Sequence, residues 1–161
     1  MFPIKSKKQA VVGVISDTHG LLRPEVIPAF KNVDLILHAG DIGKEEVLEG
    51  LKSIAPVVAV RGNNDKDWWA RVVPETEVTE ILGVRVYVLH DLKEIDFNPD
   101  DRRFQVVISG HSHKPSIARR NGILFMNPGS AGPRRFKLPI TVGRLTIRGS
   151  AAKGEIIDLV K

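Results

Sequence analysis

The chemistry open to this chain is concentrated in five short clusters: Asp17 with His19, Asp41 after Gly40, Asn63-Asn64-Asp65, His90 with Asp91, and His111 with His113. All of these residues offer nitrogen or oxygen donors. With no cysteine among the 161 residues, disulfides, thiolate ligands and thiol nucleophiles are excluded. Asp17-Thr18-His19 puts a carboxylate and an imidazole on alternate positions, so in extended backbone both can grip one cation. A polar loop that caps the following helix is the competing reading. Asp41 carries two oxygens that can bridge two ions, or it is a simple turn residue. Gly62-Asn63-Asn64-Asp65 is made of turn formers and by itself reads as a tight loop. His111-Ser112-His113 is the sharpest signal, because two imidazoles on alternate positions suit a shared metal centre. His90 is weak alone, since strand-end histidines often only hydrogen-bond.

The elements that must carry these residues follow from hydrophobic patterning. Apolar runs over residues 10–16, 34–37 and 56–60 predict strands, and periodic segments over 24–31 and 45–54 predict helices between them. That βαβαβ order implies a parallel sheet buried on both faces. Residues 75–82 and 84–89, split by Gly83, read as a hairpin; 105–109 is another strand; 116–120 and 123–126 flank Asn121-Gly122; 139–148 and 155–160 form a last hairpin. The expected fold class is α/β in the sense of an α+β sandwich: two mixed β-sheets packed face to face and flanked by helices. All five histidines, including His38, then fall at or just after the C-terminal end of a strand, where sheet proteins of α/β character place ligands.

Length and composition predict one domain over residues 1–161, with 1–8 a flexible basic tail. No apolar run approaches the roughly 20 residues that span a bilayer, so no membrane partner is expected and the reading is cytoplasmic. The formal charge of +5 welcomes phosphate-bearing partners. The basic residues are scattered, however, and no aromatics interleave with them, so nucleic acid is not the favoured partner.

Taken in order, Asp17-x-His19, Gly40-Asp41, Gly62-Asn63-x-Asp65, His90 and Gly110-His111-x-His113 resemble the motifs of calcineurin-like metallophosphoesterases. Asn127-Pro128-Gly129-Ser130 resembles a segment of the small bacterial and archaeal phosphodiesterases of that superfamily. The resemblance implies the four-layer metallophosphoesterase fold. It implies that Asp17, His19, Asp41 and His113 bind one ion and that Asp41, Asn63, His90 and His111 bind a second, with Asp41 shared. His38 falls outside the scheme and is read as a supporting residue. The ions implied are two divalent transition metals, manganese first, with nickel, iron or zinc as the other fits. The implied activity is hydrolysis of a small phosphodiester or other phosphate ester by a hydroxide bridging the two ions. Asp41, Asn63, Asn64 and His90 are the residues expected to act in catalysis.

One position departs from the pattern. Many members of the superfamily have histidine, resembling a general acid, where this chain has Asn64. An amide cannot deliver a proton, so a contribution on the order of 10² to 10⁴-fold is expected to be missing or supplied by solvent. Other readings remain beside the enzyme: a metal-binding scaffold resembling the retromer subunit of the same fold, or a nuclease. Arg134 and Arg135 read as solvated loop charges, Trp68 and Trp69 as packing or a subunit contact compatible with a homo-oligomer, and residues 91–104 with Asp96, Asp100 and Asp101 as a solvated loop.

Overall fold

A computed structural model describes residues 7–95 and 103–160. Three parallel strands open the chain: β1 (Gln9–Ile15), β2 (Leu35–His38) and β3 (Val57–Ala59). They are linked by α1 (Val26–Ala29) and α2 (Glu45–Lys52). Five further strands, β4 (Thr76–Ile81), β5 (Val84–Leu89), β6 (Val106–Ile108), β7 (Ser116–Arg120) and β8 (Ile123–Asn127), make the second sheet in the order β4-β5-β6-β8-β7. The closing hairpin, β9 (Thr141–Arg148) and β10 (Ala151–Asp158), returns to the first sheet, whose order is β10-β9-β1-β2-β3.

Both sheets are therefore mixed, and the antiparallel pairing expected of the second half is only partial. β4 and β7 pair antiparallel at the sheet edges, but β5, β6 and β8 run parallel in its centre. The final strand is also corrected, beginning at Ala151 rather than Glu155. Its first half carries no large apolar residue to mark it, and at Gly154 the side chains of Met126 and Ile117 would press within 3.1–3.2 Å of an added Cβ.

Alternation along β1 and β2 explains the layers. Val12, Val14, Leu35 and Leu37 face the core between the sheets with Val86, Ile108 and Leu124, while Ile15 and Ile36 face the helices. α2 buries Val47, Leu48 and Leu51 on one stripe, with Glu45 and Glu46 in its first turn favouring the positive end of the helix dipole. Phe30 lies flat on Gly13 of β1, where even a methyl group would stand 2.9 Å from the ring. On the outer face of the second sheet, Tyr87, Leu89, Val107 and Ile123 are covered by Ile95, Phe104 and Phe125.

Lys7, assigned to the tail, pairs with Asp34 at the start of β2. A 3₁₀ turn over Trp68–Val72 was not foreseen; it buries Trp69 against the helical layer and leaves Trp68 exposed. A second such turn, Leu92–Glu94, accounts for the start of the 91–104 segment. Asp96, Asp100 and Asp101 lie outside the described residues. No helix among the described residues is long and apolar enough to cross a membrane.

Candidate metal centre

The loops that leave β1, β2, β5 and β6 bring their donor atoms together, and the loop after β3 lies against them. Asp17, Asp41, His90 and His113 are buried, His19 is half-buried and His111 is more open. Two groups of donor atoms, Asp17/His19/His113 and Asp17/Asp41/His90, lie within 4.8 Å of one another. Asp17 Oδ1 stands 3.4 Å from His113 Nε2 and 3.8 Å from both His19 Nε2 and His90 Nε2. Asp41 Oδ2 stands 3.3 Å from His90 Nε2 and 3.8 Å from His19 Nε2. The resemblance gave Asp41 alone a shared position. In the structure both aspartates face both sides of the cluster.

The backbone shows what this convergence costs. Five of the nine non-glycine residues with positive φ among the described residues are Asp17, His19, Asp41, His111 and His113. Each left-handed residue is disfavoured by about 1 kcal/mol and persists only where the surroundings enforce it. Close backbone approach supplies part of the enforcement. A Cβ on Gly62 would lie 2.1 Å from Asp41 Oδ1, and one on Gly110 would lie 2.0 Å from Ser16 Oγ.

Hydrogen bonds supply the rest, several from residues that sequence reasoning missed. Asp65 appeared in the motif without a role; its buried carboxylate accepts the backbone N–H groups of Ile42, Gly43 and Gly62 at 2.9–3.0 Å, tying the loop after β2 to the loop after β3. Asn127 Nδ2 donates to Gly110 O and Ser112 Oγ, fixing the His111–His113 loop. Ser130 Oγ donates to Asp17 O. Such three-dimensional partners leave no periodic trace in sequence, although Asn127 and Ser130 do lie in the segment that the resemblance picked out. Asn64 donates twice to Asp41, from its backbone N to Oδ1 and from Nδ2 to Oδ2. Asn63 is exposed on the wall of a cleft of about 770 Å³ that it shares with His90, His111, Arg61, Asp91 and Glu94.

The charge states follow from these neighbours. Burial pushes Asp41 up, but His90 and the Asn64 N–H outweigh it and hold the carboxyl well below the usual carboxylate range. Asp17 is likewise lowered, with burial overcome by His113, His90 and the Ser16 hydroxyl. His90 is raised because Asp41 and Asp17 outweigh its burial. Its Nδ1 points at Ala39 O, 2.8 Å away, which turns Nε2 inward.

The donor set fits divalent cations. Asp17 Oδ1 is buried without a hydrogen-bond partner among the described residues, and it faces three imidazoles. His19 Nε2 and His113 Nε2 face each other at 3.4 Å. Carboxylate and imidazole atoms converging in this way match borderline transition metals better than calcium.

His38 lies beneath the centre, fully buried. Gly40 N–H donates to its Nδ1, so Nε2–H donates to Thr18 Oγ1, whose hydroxyl donates in turn to Ile42 O. Burial lowers its pKa from the ordinary 6.5 to about 4. Between those values the unfolded chain takes up a proton that the folded chain refuses. Stability should thus be intact above pH 6.5 and fall by roughly 3 kcal/mol as pH drops to about 4. Urea unfolding of wild type and His38→Gln across this window measures the contribution, and parallel pH profiles would contradict it.

The family model for the calcineurin-like phosphoesterase superfamily domain matches residues 11–150. The chain is 36% identical over 159 residues to a probable metallophosphoesterase of Methanothermobacter thermautotrophicus, with 91% of each chain covered. It is 26% identical over 137 residues to a phosphodiesterase of Methanocaldococcus jannaschii, covering 73% of this chain and 82% of that one. Among solved structures, Vps29 of Entamoeba histolytica complexed with zinc matches with a TM-score of 0.69 at 25% identity, over 93% of this chain and 99% of that one.

Proposed function

The chain belongs to the calcineurin-like phosphoesterase superfamily, and from that premise we propose that it is a phosphodiesterase working with two divalent transition-metal ions, manganese first among them. The observation that carries this reading is the buried, unpartnered Asp17 Oδ1 facing the imidazoles of His19, His90 and His113. Asp17, His19, Asp41 and His113 would hold one ion; Asp41, Asn63, His90 and His111 would hold the other. When bound, such ions supply an activated water and counter-charge for the phosphoryl oxygens.

The chain's own residues decide which esters suit this chemistry. Asn64 holds the Asp41 carboxylate through two N–H donors and has no proton to give a departing oxygen. Leaving groups must therefore depart as stable anions, which favours esters with acidic leaving groups and diesters over alkyl monoesters. The hydroxyls of Ser112 and Ser130 are held in loop hydrogen bonds, which supports water rather than serine as nucleophile. The cleft beside His90 and His111 carries Glu75, Asp91 and Glu94 against Arg61, and Arg61 is itself paired to Glu75 at 3.1 Å. Such a wall disfavours a second phosphate, and so a small diester suits it better than a nucleic-acid strand. Arg134 turns back onto Leu138 O of its own loop. The likeness to Vps29, named for protein sorting, supports the scaffold reading only weakly beside a filled donor set.

The test is hydrolysis of an aryl phosphodiester and the matching monoester by chelator-stripped protein with manganese restored. Cleavage of the diester is expected; folded, metal-binding protein that cleaves neither would favour the scaffold. In a series of diesters differing in leaving-group acidity, Asn64→His should speed the poorest leaving groups by about 10-fold or more and the best ones little. An equal effect on all of them would contradict the role given to Asn64.

A further inference from the structure

We infer that Asp91 is a positioning residue for His111, setting its tautomer and strengthening metal binding on the His90/His111 side. The inference rests on the two-ion reading for its effect on affinity, but not for its effect on the ring.

His111 is the least restrained imidazole of the cluster. Its side chain is 46% exposed and its backbone sits at φ 72°. The backbone is anchored, since His111 N–H donates to Asp17 Oδ2 at 3.0 Å, but that bond does not fix the ring. His90 is different, buried and locked through Nδ1 on Ala39 O. The His111 ring stands edge-on to His90 at 82°, with its Nδ1 3.3 Å from His90 Nε2. On its far side, Nε2 lies 3.7 Å from Asp91 Oδ2, a separation slightly longer than a hydrogen bond.

Asp91 is well prepared for this role. Its Oδ1 accepts the Lys93 N–H at 3.1 Å and caps the turn Leu92–Glu94, which fixes the carboxylate and leaves Oδ2 free for the imidazole. Because Asp91 directly follows His90, one strand end sends an imidazole into the centre and a carboxylate behind the neighbouring imidazole. With the neutral His90 ring donating from Nδ1 to Ala39 O, its Nε2 favours the His111 proton on Nδ1; the carboxylate behind His111 Nε2 opposes this, drawing the proton outward and freeing the Nδ1 lone pair to point inward. This is the carboxylate–histidine arrangement that orients a ligating ring, and its loss elsewhere costs about 10 to 100-fold in metal affinity.

Two substitutions separate this role from a structural one. Asp91→Ser keeps a capping oxygen for Lys93 N–H but removes the oxygen that faces His111. Asp91→Asn keeps an oxygen acceptor for one of the two contacts. In stripped, ¹⁵N-labelled protein, imidazole NMR should show a larger Nε2-protonated fraction of His111 in wild type than in Asp91→Ser. In manganese titration calorimetry, Asp91→Ser should weaken one of two binding steps about 10 to 100-fold, with Asp91→Asn between it and wild type. A tautomer balance unchanged in Asp91→Ser would overturn the inference whatever the metal count. A single binding step in the wild type, with the tautomer shift present, would instead overturn the two-ion reading and leave the ring-setting role standing.

Discussion

Substitution of Asp41 by asparagine is expected to lower kcat/KM for an aryl phosphodiester by roughly 10³-fold or more while the chain stays folded. The carboxylate faces His90 and His19 together and, held well below the usual carboxylate range, is ionised at any working pH. An amide of the same shape removes that charge. It also turns an NH₂ toward Asn64, whose two N–H groups now both find acceptors on Asp41. The loss of several kcal/mol of charge stabilisation where metal is held corresponds to a factor of this size. Steady-state kinetics on stripped and manganese-reloaded protein measures it, with circular dichroism confirming the fold. Activity within tenfold of wild type would remove Asp41 from the centre of the chemistry.

The largest effect on stability is expected from Asp65→Ala. That change strips the Ile42, Gly43 and Gly62 N–H groups of their common acceptor, and each buried donor left unsatisfied costs about 1–3 kcal/mol. The loss should reach several kcal/mol by denaturant unfolding. Metal affinity should fall with it, because the clamp is what brings the Asp41 loop against Gly62. Asp65→Asn, which retains one acceptor oxygen, should fall between. A variant as stable as wild type would show that the two loops find each other without the clamp.

These expectations draw on two kinds of information, only one of which is visible in the chain. β1 and β2 are legible because burial on both faces demands unbroken apolar runs, and the donors of the centre are legible because each lies in the loop after a strand. The parallel pairing of β5, β6 and β8 is not, since parallel and antiparallel strands ask for the same side chains. The start of β10 is not legible because Ala151 to Gly154 are small or polar and give no apolar alternation, with Met126 and Ile117 close over Gly154. At the centre, residue types and strand-end placement point to the cluster. The work of Asp65, Asn127 and Ser130 depends on backbone groups brought near by folding, and no spacing rule encodes it. Asn64 shows both limits: its type reveals what it cannot do, and only the structure reveals that it holds Asp41.

Whether two ions at this cluster make a phosphodiesterase is open to one titration. Titrating manganese into chelator-stripped protein while following both bound metal and aryl diester hydrolysis tests it most directly. Activity should rise with loading and level off at two ions per chain. Saturation at one ion with full activity would contradict the paired centre, and two bound ions without hydrolysis would contradict the enzyme.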